Sequence, residues 1–230
     1  MELKPKRVSA MLAAAVSAAA ALQALAQQTA PVSYIPADAA YRAGPAVDPA
    51  GDAKAGAHVS PPVGRLLSAL MDAAAKRDWV TAEASLMQAR AVQTQTDLDR
   101  FEIDVVASFL ALGMHDHANA LASYKRVIAS PLFATAQTPR QQRATLQNAM
   151  VLSNEAADFA QAIGFGEKLA ASGRLDRASA LPLAFAYFAD GRYAKAQALA
   201  QKTIDADVAA GRQPDNTALE IVSKSKASLH

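Results

Sequence analysis

The side chains that could do chemistry are few. His115-Asp116-His117 places two imidazoles and a carboxylate within three residues, the one cluster in the sequence that resembles a metal site. A zinc-type ion takes three or four such ligands, and no further ligand can be assigned from the sequence. On a helix, residues two apart point about 200° apart, so the rings would not converge on one ion. The spacing reads better as a turn between helices, with Asp at the turn and His117 taking the place of an aromatic. Gly164-Phe165-Gly166-Glu167-Lys168 superficially resembles a phosphate loop. It lacks a preceding strand and a Gly-Lys-Ser/Thr ending, and it falls inside a helical pattern, where Gly166 would allow close helix approach. Asp97, Asp99, Glu102 and Asp104 gather at the start of a helix, where carboxylates complement the macrodipole. No Gly-x-Ser-x-Gly or His-Glu-x-x-His motif occurs. Cysteine is absent, which excludes disulfides, thiolate metal centres, cysteine nucleophiles and a lipidated N-terminal Cys. The expectation is no catalytic residue, no metal site and no cofactor. The alternative is a metal-binding or enzymatic protein that uses His115 and His117.

The elements that hold these residues follow from composition. Of 230 residues, 58 are Ala, about half of the 52% hydrophobic fraction, and only 6% are aromatic. Alanine is the strongest helix former and the smallest apolar side chain, so the composition favours closely packed helices over sheets.

The N-terminus carries an address. Lys4, Lys6 and Arg7 precede an apolar run from Val8 to Leu22, and Ala24-Leu25-Ala26 supplies a small-x-small cleavage pattern, so residues 1–26 are expected to be a secretory signal peptide. The run is shorter than the ~20 residues that span a bilayer, and no later segment is long and apolar enough, so no membrane span is expected after cleavage. The formal charge of +2 leaves with the signal, whose three basic residues outnumber Glu2 by two. A neutral mature chain lacks the footprint of a nucleic-acid binder. Residues 27–61 hold Pro31, Pro36, Pro45, Pro49 and Pro61 among Gly, Ala and Asp, and are expected to form a disordered linker.

From residue 62 to 230 the pattern is helical and repeats. Trp79–Ala82, His117–Ala120, Phe159–Ala162 and Tyr193–Ala196 each have an aromatic or His, two variable residues and Ala, preceded by a turn with Asp or Gly. Further apolar or small residues follow the Ala at four and seven places, on one helix face. Another amphipathic stretch precedes each signature: Leu66–Lys76, Phe101–Leu112, Thr145–Ser153 and Leu181–Ala189. The Ala sits where two helix axes cross ~8–10 Å apart, and the aromatic is expected to wedge between the helices. Pro139 opens a helix after Leu132–Thr138, Gly173 and Gly211 end others, and Thr217-x-x-Glu220 reads as the capping box of a last helix. That helix should close the stack with Leu219, Ile221 and Val222, leaving Lys224 and Lys226 in solvent.

Helix, tight turn, helix at a period near 34 is the tetratricopeptide pattern. The predicted fold is all-α, a right-handed α-solenoid of about four such helix pairs with a C-terminal capping helix. The stretch from Val59 onward resembles bacterial periplasmic tetratricopeptide-repeat proteins, in particular the N-terminal half of longer envelope members. Val59-Ser60-Pro61, Arg65–Leu70 with Asp78-Trp79, Phe101-Glu102-Ile103, Asp116-His117 with Ala120, Asp190–Tyr193 with Ala196, and Ala210–Pro214 before Leu219 carry the resemblance. It implies a periplasmic location and a non-catalytic adaptor or scaffold that binds a protein or peptide in a concave groove. Some such proteins accompany envelope systems of the TonB type. The repeat register puts Phe109, Gln147, Val151, Phe185 and Phe188 on the inner face. Asn148 falls where peptide-binding members often hold a ligand backbone.

Overall fold

The computed structural model describes residues 58–229. The signal-peptide expectation and most of the linker expectation lie outside them. Among the described residues all regular structure is α-helical. Ten helices follow in order: α1 (Pro61–Ala75), α2 (Trp79–Ala91), α3 (Asp97–Gly113), α4 (His117–Ala129), α5 (Phe133–Ala136), α6 (Pro139–Glu155), α7 (Phe159–Ala171), α8 (Arg177–Ala189), α9 (Tyr193–Ala209) and α10 (Asn216–Ser228). None is long and apolar enough to cross a membrane. The described residues fall into two compact units, 58–179 and 180–229.

In the first unit every main contact is between helices close in sequence. The pairs α1–α2, α3–α4 and α6–α7 pack most extensively; α3 also touches α1 and α2, and α6 touches α4. In the second unit α9 packs on α10. Three-residue connections make α1–α2, α3–α4 and α6–α7 antiparallel pairs.

One turn recurs. After α1, the N–H of Asp78 bonds the Ala73 carbonyl at 2.9 Å, and Arg77 lies in the left-handed region (φ 59°). Asp116 bonds Ala111 with His115 left-handed (φ 60°), and Asp158 bonds Ser153 with Ala157 left-handed (φ 56°). Arg192 bonds Tyr187 around Gly191 (φ 77°) in the same way. Each is a Schellman closure that satisfies the carbonyls at a helix end. Asp78, Asp116 and Asp158 then cap the following helix, accepting the N–H of Thr81, Asn119 and Gln161. Hydrogen bonds from Thr81 hold the Asp78 carboxyl below its ordinary range, and Asn119 does the same for Asp116. Arg192 provides no side-chain cap. One residue therefore stops a helix and the next begins another.

Ala82, Ala120, Ala162 and Ala196 have no exposed surface. Residues four and seven places further, such as Tyr124 and Val127 on α4, are buried as well. On the preceding helices Leu70, Ser108, Met150 and Ala184 are equally buried.

Two of the wedge residues also reach the next pair. The Trp79 indole reaches past its own pair to the end of α3, where a Cβ on Gly113 would come within 3.2 Å of it. His117, at the matching place on α4, meets Glu155 at the end of α6, Nδ1 to Oε2 2.7 Å. Gly113 and Glu155 both precede their cap Asp by three residues. The first side chain of one hairpin's second helix thus contacts the last residue of the next hairpin's first helix. Glycine makes room for an indole, and glutamate pairs with an imidazole.

Two helix starts differ from expectation. α1 begins at Pro61, one residue into the expected linker, because proline suits the first helical position, where no N–H donor is needed. The last helix is capped by Asp215, which accepts from Thr217 N–H at 2.8 Å, so Thr217 and Glu220 do not form a capping box. Ala218, Ile221 and Ser225 face inward and Leu219 is 46% exposed, so Leu219 does not cover the packed face. Lys224 and Lys226 are exposed, Lys224 pairing with Glu220 at 3.0 Å.

Two outcomes follow. Ala157→Gly should stabilise by about 0.5–1 kcal/mol, because relief of a left-handed alanine outweighs the added freedom of the unfolded chain. Ala162→Leu should destabilise by about 1–3 kcal/mol through overpacking at the crossing. Urea unfolding followed by circular dichroism reads both; a destabilised Ala157→Gly or a neutral Ala162→Leu would contradict this account.

Candidate functional site

The helix that carries Gln147, Asn148 and Val151 is buried on all sides. From Ala144 to Ser153 every residue of α6 is buried, between α4 on one flank and α7 on the other. Gln147, Asn148 and Val151 are 3%, 2% and 2% exposed, which corrects the expectation that they are displayed on an open inner face. The repeat register gives the face a residue occupies, but it does not show that α6 has neighbours around so much of its circumference.

These polar groups are used internally. Asn148 Nδ2 donates to the Tyr124 hydroxyl at 3.0 Å, and Gln147 Oε1 accepts from Ser179 Oγ at 3.1 Å. Burial pushes the Tyr124 hydroxyl up, with hydrogen bonding to Asn148 and Ser108 opposing it. The Asn148 Oδ1 and Ser153 Oγ atoms are buried without a hydrogen-bond partner. Such groups cost free energy unless something supplies a donor, so they mark places where water or a ligand group would be welcome.

Phe109 is half-buried against the cluster of Phe101, Val105 and Val127. Phe185 and Phe188 lie in the second unit, both half-buried, and Phe188 packs edge-on to Tyr193 with centroids 5.6 Å apart.

The His115-Asp116-His117 segment is the α3–α4 turn. His115 holds the left-handed position and Asp116 the cap, while His117 opens α4 with Nδ1 on Glu155. The two rings lie 6.4 Å apart and tilted. Among the described residues no group of three or more His, Asp or Glu is placed to hold a metal. Gly164 and Gly166 lie within α7, Gly166 buried and Gly164 exposed with open space where a Cβ would be.

The acidic cluster divides into separate tasks. Asp97 pairs with Arg100. Asp104 pairs with Arg126 Nε at 2.8 Å. Burial alone pushes the Glu102 carboxyl up. Asp99 is fully buried: its Oδ2 accepts the Thr96 N–H at 2.9 Å, closing a capping box, and its Oδ1 accepts the Ser60 N–H at 2.7 Å. Burial raises this carboxyl, but the Thr96 and Ser60 donors outweigh it and hold the pKa below the ordinary value. The chain entering α1 is thereby tied to the start of α3.

Two clefts that the sequence reading did not anticipate flank the Asp104–Arg126 pair. One, of about 380 Å³, lies between α2 and α4 over α3. The other, of about 290 Å³, lies where α3 begins and α4 ends, beside Leu132. Neither includes any of the residues expected to bind a partner. Their lining joins α3 residues to charged second-helix positions such as Glu83 and Arg90, which periodicity marks only as solvent-facing.

Comparison with family models, curated proteins and solved structures gives no match for the chain.

The Asp99 contacts yield a pH dependence. A carboxyl lowered by folding stabilises fully above its unfolded value, near 3.8, and that contribution is lost as pH falls through the folded value. Asp99→Asn should remove this acid-sensitive part and, by leaving the Ser60 or Thr96 N–H without an acceptor, cost about 1–3 kcal/mol at neutral pH. Melting curves of both proteins between neutral pH and about pH 3 test this; parallel losses on acidification would contradict it.

Proposed function

We propose that the chain is a periplasmic adaptor of tetratricopeptide type, a right-handed solenoid without catalysis of its own that holds a protein or peptide partner. The observation that carries this reading is the repeated hairpin joint. Four times a left-handed residue, a one-residue step and an aromatic or His lead to an alanine with no exposed surface. The same kind of joint inside each of four helix hairpins is what repeated units of a solenoid would share, and solenoids commonly serve as extended binding surfaces.

Each unit offers half-buried aromatic side chains that a ligand could finish covering, Phe109 in the first and Phe185 and Phe188 in the second. Asn148 and Gln147 serve inside the first unit, bonding Tyr124 and Ser179. Aromatic anchors of this kind supply much of the binding energy in protein interfaces. The resemblance to envelope proteins, some of them beside TonB-type systems, supplies the cellular setting.

In-cell crosslinking and recovery of the tagged protein test the reading, with a variant changing Phe109, Phe185 and Phe188 to Ala as the comparison. A partner held by the native chain should be lost, by at least tenfold in recovery, from a variant that still melts cooperatively, since one anchor alone often contributes about 2 kcal/mol. Recovery of the same partners by both proteins would remove the aromatic anchors from the account.

A further inference from the structure

The larger cleft has a built polarity. Its floor is apolar and low, formed by Ala107, Leu110 and Ala111 of α3, with Leu86 of α2 beside them. One wall is α2, which lines the cleft with Glu83, Leu86 and Arg90. Spacings of three and seven put these on one helix face, with the two charges about 10 Å apart along the axis. The other wall is α4, which contributes Asn119, Ser123 and Arg126 at the matching spacing.

The direction of the helices fixes which charge lies at which end. Trp79, one turn before Glu83, rests at Gly113 at the end of α3. Arg126, near the end of α4, is bound to Asp104 in the first half of α3. Antiparallel packing therefore brings Arg90 to the end where Arg126 lies, and Glu83 to the end where Asp116 and Asn119 lie. Asp104 already engages Arg126, and Asn119 donates to Asp116 at 2.6 Å. Glu83 and Arg90 have exposed side chains with no hydrogen bond or ion pair recorded among the described residues.

We propose that this cleft binds a short free peptide of about three residues. Its terminal carboxylate pairs with Arg90, its terminal ammonium pairs with Glu83, and its central apolar side chain rests on Ala107 and Leu110. Three extended residues span about 10 Å, matching the axial rise from Glu83 to Arg90. The guanidinium suits a carboxylate because its donors match both oxygens. A cleft of about 380 Å³ falls in the range of small-ligand sites. The α3 floor admits a peptide backbone where it is lined by alanine. This site includes none of Phe109, Phe185 and Phe188, so the proposal does not rest on the adaptor reading.

Calorimetric titration of the full chain with Ala-Leu-Ala tests it. Saturable binding is expected, weakened about tenfold or more by amidating the C-terminus, acetylating the N-terminus, or making Arg90→Ala or Glu83→Gln, since each removes one charged hydrogen-bonded contact. High salt should weaken binding in the same direction. The capped peptides probe the native chain, so the test holds even if a variant fails to fold. Absence of binding up to millimolar peptide, or binding indifferent to both caps, would overturn the proposal.

Discussion

The packing of the first unit depends on how closely its helix pairs can cross. Ala82, Ala120 and Ala162 have no exposed surface, and each stands three residues into the second helix of its pair. A branched side chain at any of these places would push the axes apart and misplace everything further along the helix, because interiors are too densely packed to absorb a methylene group. The alanine can do this only if the helix enters at the right angle. That angle is set just before it, by the left-handed residue and the capping aspartate. Arg77, His115 and Ala157 tolerate an unfavourable backbone conformation at these joints. Sequence, local strain and packing thus act at one small place, repeated.

The contacts between successive pairs use less uniform chemistry. Trp79 against Gly113 is a shape fit, and His117 against Glu155 is a polar pair in an equivalent position. The substitution explains why His-Asp-His looks like a ligand cluster in the sequence. Its aspartate is a cap, its first histidine is a turn residue, and its second joins one hairpin to the next. The buried Tyr124–Asn148 bond does similar work deeper in the structure, linking α4 to α6. Buried polar contacts of this sort restrict how the helices can slide, since an unmatched partner would be left desolvated.

Periodicity made the helices and their joints legible. Ala82, Ala120, Ala162 and Ala196, and the residues four and seven places beyond, could be assigned to the packed face because helical spacing determines which residues share a side. Local alternatives among capping groups were less legible. Thr217 and Glu220 have capping-box spacing, yet Asp215 two residues earlier takes the role. Thr96 with Asp99, and Thr138 with Gln141, are the capping boxes that form. The burial of Gln147, Asn148 and Val151 was not legible, because a face assignment says nothing of how many neighbours a helix has. The clefts were hidden for a related reason: Glu83 and Arg90 read as ordinary solvent-facing charges until α2 and α4 are known to flank the same stretch of α3.

That last point bears on where such a protein can hold function. A helix array built on alanine crossings leaves little space at its joints, and the larger cleft opens instead between two second helices, over small residues of the helix beneath them. Ala107 and Ala111 lie on its floor. The same residue economy that brings α3 and α4 together lowers the surface between α2 and α4. Charged side chains at seven-residue spacing then give the depression two distinct ends. Close packing and recognition draw here on a single property of the sequence, the placing of its small residues.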